Sequence, residues 1–119
     1  MSDAHDHIDK LMQELRRGTI TIGALSQLYE PRYGYSLITT LKKKGIQVEA
    51  GTLYPLLRRL EKQGLLESNW DTNEARPRKY YVLSNTGKEV LDLVRVEWLN
   101  IVASMDNLMM KRGGEDEND

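Results

Sequence analysis

The residues with the clearest chemical potential are hydroxyls and cations in two short stretches. Thr52, Tyr54, Arg58 and Lys62 fall in the first, and Arg76, Arg78 and Lys79 in the second. Arginine can pair bidentately with guanine O6 and N7, and a threonine hydroxyl can bond a base or a phosphate. The charge around them has the same sense. From Lys10 to Lys88 there are 14 Lys or Arg against 7 Asp or Glu, a net of +7, although the 119-residue chain as a whole carries −1. Acidic residues gather at the ends instead, as Asp3, Asp6 and Asp9 and as Glu115, Asp116, Glu117 and Asp119. A basic block of this size suits an anionic partner such as nucleic acid, and the competing reading is ordinary solvated helix faces.

Enzymatic chemistry has no support. No G-x-x-x-x-G-K-[ST], H-E-x-x-H or G-x-S-x-G motif occurs, and the basic block lacks clustered carboxylates for a divalent metal. His5 and His7 stand two residues apart in a polar N-terminus, a spacing that does not share a helix face. Zero cysteines exclude disulfides, a thiolate nucleophile and Cys-ligated metal sites; with the motifs above also missing, no metal and no cofactor are expected. No run approaches the roughly 18 apolar residues of a membrane span, and the N-terminus lacks the regions of a signal peptide. The expected setting is the cytoplasm, with no membrane partner.

Helices must position most of these side chains. Ile8, Leu11, Met12 and Leu15 keep the spacing of one helix face, and Arg16, Arg17 and Gly18 predict its end. A second pattern runs from about Thr19 to Tyr29. Pro31 and Gly34 then break the chain before a helix from Tyr35 to Lys44, with Lys42, Lys43 and Lys44 in its last turn and Gly45 just beyond. The next helix buries Leu53, Leu56, Leu57 and Leu60, stops at Gly64, and is expected to begin at Pro55 or a few residues before it. Its opposite face presents Tyr54, Arg58 and Lys62, with Thr52 near its N-terminal end.

From Leu65 the period changes to two. Leu66, Ser68 and Trp70 share one side of a strand, Asp71 to Pro77 form a polar connection, and Lys79-Tyr-Tyr-Val-Leu83 returns. Such a hairpin is marginal alone, so Leu66, Trp70, Tyr81 and Leu83 are expected to lie against the helices. Arg76, Arg78 and Lys79 then stand at the end of the hairpin loop, able to straddle phosphates or reach a minor groove. Thr86-Gly-Lys-Glu89 fits a capping box for the last helix, with Ser84 the alternative cap. Leu91, Val94, Trp98, Ile101, Met105 and Leu108 alternate steps of three and four, the seam of a coiled coil and the expected dimer interface. This order of elements describes a mainly α protein with a β-hairpin wing, an α+β winged helix-turn-helix followed by a long C-terminal dimerisation helix. Residues 1–84 would bind DNA, 85–112 would dimerise, and 113–119 read as a disordered acidic tail.

Gly34-Tyr35, the run Gly51-Thr-Leu-Tyr-Pro-Leu-Leu-Arg-Arg-Leu-Glu-Lys-Gln-Gly64, the wing Arg78-Lys-Tyr-Tyr-Val-Leu-Ser84 and Gly87 resemble the PadR family of bacterial transcriptional regulators. The likeness spans about Gly18 to Leu108. Its single C-terminal helix is similar to the short subfamily that includes multidrug-sensing regulators, while other members respond to phenolic acids. The resemblance implies a homodimeric repressor that binds double-stranded DNA at a pseudo-palindromic operator. It also implies an effector site, because the tryptophan matching Trp98 sandwiches planar drugs in the multidrug-sensing relatives. Trp98, Ile101 and Met105 are thus the expected contacts for a small aromatic or hydrophobic effector, and interface packing is the plainer role for the same residues. A dimeric winged-helix module that binds protein, without specific DNA binding, is the alternative function.

Overall fold

The computed structural model describes residues 3–73 and 75–110. Four helices and a three-stranded antiparallel sheet occur in the order α1 (Asp3–Ser26), β1 (Arg32–Tyr33), α2 (Gly34–Lys43), α3 (Ala50–Lys62), β2 (Leu66–Asp71), β3 (Arg78–Leu83) and α4 (Asn85–Met110). The sheet order is β1-β3-β2. This is a winged helix-turn-helix in which β2 and β3 make the wing.

The expected break at Gly18 is absent, and one helix replaces two. A glycine inside a helix costs only about 1 kcal/mol relative to alanine. The half that follows it outweighs that cost by burying Ile20, Ala24 and Leu25. Thr19 and Thr21 also turn their hydroxyls back onto the helix, Thr19 donating to the Leu15 carbonyl at 3.3 Å and Thr21 to the Arg17 carbonyl at 2.9 Å. The half that precedes Gly18 leaves Ile8, Leu11 and Leu15 exposed.

α2 and α3 end by the same device. Gly45 (φ 99°) and Gly64 (φ 85°) adopt left-handed backbone. Their N–H groups donate to the Lys42 and Glu61 carbonyls, and the next residues, Ile46 and Leu65, donate to Leu41 and Leu60. Glycine at these positions avoids the penalty that a Cβ meets at positive φ. α3 begins at Ala50, so Pro55 lies in its second turn rather than at its start. Its missing N–H leaves one helical hydrogen bond unmade, while the four leucines on the other face hold the helix in place.

β1 pairs Arg32 with Tyr81 and Tyr33 with Tyr80, adding a third strand to the hairpin. Two residues are too few to show a period of two in the sequence. In the hairpin, Leu66 faces Leu83 and Trp70 faces Lys79. Leu66, Tyr81 and Leu83 are buried as expected, but Trp70 is 61% exposed. The indole lies at the outer end of β2 on the rim of an open cleft that it shares with Tyr54 and Tyr81, its ring centre 6.0 Å from Lys79 Nζ, and so stays largely in solvent.

Ser84, not Thr86, caps α4. Its hydroxyl accepts from the Gly87 N–H at 2.9 Å and donates to the Gly64 carbonyl at 2.6 Å, joining the end of α3 to the start of α4. Gly87 lies so close to the Leu65 carbonyl oxygen that any Cβ would collide with it. The core centres on Leu28, Leu37, Leu41, Leu53, Leu57 and Leu91. Leu91 was expected in a dimer seam; at 1% exposure it belongs instead to the core of the single chain, because the first two turns of α4 still lie over the domain.

Candidate nucleic-acid interface

α3 separates its two faces cleanly. Leu53, Leu56, Leu57 and Leu60 are buried, while Thr52, Arg58, Arg59 and Lys62 are exposed. Thr52 sits in the first turn, where its own N–H already donates to the Glu49 carbonyl at 2.9 Å. Tyr54 differs from its expected outward placement. It is half-buried, and its ring covers Gly34 at the start of α2 so closely that a methyl group there would overlap it. Gly34 and Tyr54 are therefore in direct contact, and the absence of a side chain at Gly34 lets the start of α2 approach α3.

The three wing cations occupy three different environments. Arg76 is exposed in the loop between the strands. Arg78 opens β3, its guanidinium 4.2 Å from the centre of the Tyr33 ring. Lys79 is half-buried within β3 rather than at the loop, its Nζ 3.5 Å from Glu61 Oε1 and 5.3 Å from the Tyr81 ring centre. Glu61 also accepts a hydrogen bond of 2.5 Å from the Ser68 hydroxyl on Oε2. One carboxylate of α3 thus holds both strands of the wing.

Asp71 fixes the outer end of the hairpin. Its carboxylate accepts from the Tyr33 hydroxyl at 2.5 Å and from the Asn73 N–H at 3.1 Å. These two bonds, with help from the Arg78 charge, hold its pKa below the usual 3.8 against a smaller opposing effect of desolvation. Neither Tyr33 nor Glu61 was assigned a role from the sequence: Tyr33 only precedes Gly34-Tyr35, and Glu61 falls within the Gly51–Gly64 run as one more polar residue of a helix. Their roles depend on β1 and on the hairpin's approach to α3, which are tertiary facts.

Two clefts flank α3. One, of about 460 Å³, lies between α3 and the wing and includes Tyr35, Tyr54, Arg58, Trp70 and Lys79 in its walls. The other, of about 630 Å³, lies between α3 and α1, where Arg16, Arg17 and Arg59 surround Ile20 and Leu56 and Thr52 stands at the edge. The exposed face of α3 is therefore bordered by cations on both sides. Among the described residues no group of three or more His, Cys, Asp or Glu could hold a metal ion, and no helix is long and apolar enough to cross a membrane.

Beyond Leu91 the last helix is held by Tyr29, which meets Asp92 and Arg95, and is otherwise mostly exposed. Val94 is half-buried, and Trp98, Ile101, Met105 and Leu108 are exposed, as are Leu93, Val96, Leu99 and Met109 on neighbouring faces. The expected tail at 113–119, and residues 111–112 of the expected dimerisation segment, lie outside the described residues.

Comparison with known proteins points in one direction. Residues 22–93 match the profile of the transcriptional regulator PadR-like family. The chain is similar to the crystal structure of a PadR family transcriptional regulator from Eggerthella lenta, with a TM-score of 0.83 and 46% identity over 93% of this chain and 100% of that one. It is also similar to a PadR-like transcriptional regulator from Bacillus cereus, with a TM-score of 0.74 and 30% identity over 83% and 99% of the two chains. A transcriptional regulator of Mycobacterium tuberculosis is 33% identical over 81 residues, 67% of this chain and 76% of the relative.

Proposed function

Since the chain belongs to the PadR-like family of transcriptional regulators, we propose that it is a cytoplasmic homodimeric repressor that reads a pseudo-palindromic operator and is released by a small hydrophobic or phenolic effector. The observation that carries the DNA reading is the exposed face of α3, where Thr52, Arg58 and Lys62 stand clear of four buried leucines. A helix so presented, with cations on both flanks and a wing beside it, has the shape and charge to enter a major groove. In this reading Arg58 reads a base and Thr52 bonds a base edge or phosphate. Tyr54 holds the helix in register, and Lys62 and Arg76 bind phosphate. Arg78 and Lys79, already held against Tyr33 and Glu61, act as fixed positive charges at the outer end of the wing.

Two copies supply two such helices. The apolar residues Trp98, Ile101, Met105 and Leu108 cannot stay solvated at no cost, and a second α4 provides a matching stripe. Trp98 stands at the end of that stripe nearest the domain, where in a two-fold pair a flat aromatic effector can lie against the indole with Ile101 and Met105 beside it. Because only Ser84 stands between the end of the wing and the start of α4, separating the two α4 helices also moves the two copies of α3.

Selection of bound duplexes from genomic fragments, followed by titration across a salt series, tests the reading. The operator should carry half-sites about 34 to 36 Å apart or a multiple of that. R58A should cost about 1 to 3 kcal/mol per half-site and relax the choice of base, whereas R76A should weaken all duplexes alike and lower the salt slope by about one. Affinity that ignores salt would instead favour a protein partner.

A further inference from the structure

Trp70 is an expensive residue to leave in water, yet it is 61% exposed on the wing. It is not isolated. Its indole lines the cleft between α3 and the wing, together with Tyr35, Tyr54, Arg58 and Lys79. Tyr35, from the first turn of α2, is 75% exposed. The cleft therefore has aromatic walls contributed by α2, α3 and β2, with Arg58 and Lys79 among them.

We propose that this cleft seats one sugar-phosphate strand of the duplex, and that Trp70 packs on a deoxyribose of that strand while the Tyr35 hydroxyl donates to an adjacent phosphate. The inference rests on the DNA reading given above and adds two contact residues to it. Its occupant follows from position and charge. A strand of backbone separates the major groove, which α3 would enter, from the minor groove beside it, which the wing would reach. The cleft lies between those same two elements. Arg58 gives it the right sign for phosphate. Lys79 contributes less, because Glu61 lies 3.5 Å from its Nζ. With part of its positive charge already balanced, the cleft gains from a contact that does not depend on charge, and the face of an indole against a sugar is such a contact.

This assignment separates Trp70 from the cations by a measurable signature. Phosphate contacts release counterions and steepen salt dependence; an apolar contact does not. Trp70 is also one of only two tryptophans in the chain, so the emission that W70F removes is its own. The experiment measures operator affinity across a salt series for the parent, W70A, W70F, Y35F and R58A, and acrylamide quenching of the parent and W70F with and without duplex. W70A should bind about tenfold more weakly with an unchanged salt slope, and W70F, which keeps a ring, should lose less. Y35F should lose a smaller factor, and the Trp70 part of the emission should become shielded from acrylamide in the complex. Parent-like binding by W70A, or a Trp70 as accessible in the complex as in the free protein, would overturn the proposal and leave the regulator reading intact. A parent without salt-dependent duplex binding would overturn both. Since the indole is largely outside the core, loss of fold does not confuse the W70A result.

Discussion

Asp71 shows how single side chains set the wing. Its carboxylate is held in the charged form chiefly by the Tyr33 hydroxyl, then by the Asn73 N–H, with the Arg78 charge assisting. A carboxylate whose folded pKa is depressed adds stability above the unfolded value near 3.8, and that stability is lost as pH falls through the lower folded value. Y33F removes the hydroxyl but keeps the ring on which Arg78 rests. The Asp71 pKa, followed by NMR, should therefore rise toward 3.8, and the wing should loosen at a higher pH than in the parent. An unchanged Asp71 titration in Y33F would mean that the hydrogen bond is not what holds the carboxylate. Glu61 has the complementary task. By taking Ser68 and Lys79 together it anchors the hairpin to α3, at the expense of a cation that could otherwise face phosphate.

Glycines decide how the elements join, and two of them should respond to alanine with opposite signs. G87A puts a Cβ against the Leu65 carbonyl oxygen, a backbone atom held by the end of α3, and should destabilise the fold by about 1 to 3 kcal/mol. G18A meets nothing within 4 Å and lies inside a continuous helix, so it should stabilise by up to about 1 kcal/mol. Urea midpoints of the two variants measure both effects, and equal signs would contradict the account of these junctions. The same glycines explain what could be read from the sequence. Gly45 and Gly64 stop their helices because the chain needs positive φ there, a local requirement that the sequence displays. Gly18 has the same look and stops nothing, since the choice depends on Ile20, Ala24 and Leu25 finding a core. The four leucines of α3 and the exposed Thr52, Arg58 and Lys62 were legible because one period governs them. Trp70 and Tyr54 were not, because a strand's outer end and a ring lying on Gly34 depend on where other elements stop. The two-residue strand β1, and with it Tyr33, left no pattern at all.

At the scale of the whole molecule, α4 divides into a part packed on the domain and a part that leaves it. Its first turns lie in the domain through Gly87 and Leu91; the rest continues outward, the 26 residues spanning about 39 Å. The heptad-like run begins at Leu91, but the fold divides it, so only Val94 onward is available to a second subunit. This division makes a clean test of the dimer. Ile101 is 50% exposed in the single chain, so an aspartate there costs the isolated subunit little, yet in a paired seam it is a buried carboxylate without a partner. I101D should sediment as a monomer with the helical content of the parent, while the parent sediments as a dimer at micromolar concentration. L91D, by contrast, should lose the fold itself, because Leu91 is 1% exposed in the core. The monomeric I101D should also bind operator far more weakly, since linking two half-site contacts raises affinity by roughly 10² to 10⁴ without any new contact. A parent that sediments as a monomer would remove the two-fold axis, and with it both the palindromic operator and the effector site against Trp98. An I101D protein that remains dimeric would place the subunit contact elsewhere, and the exposed stripe of Ile8, Leu11 and Leu15 on α1 is where L11D would then be made.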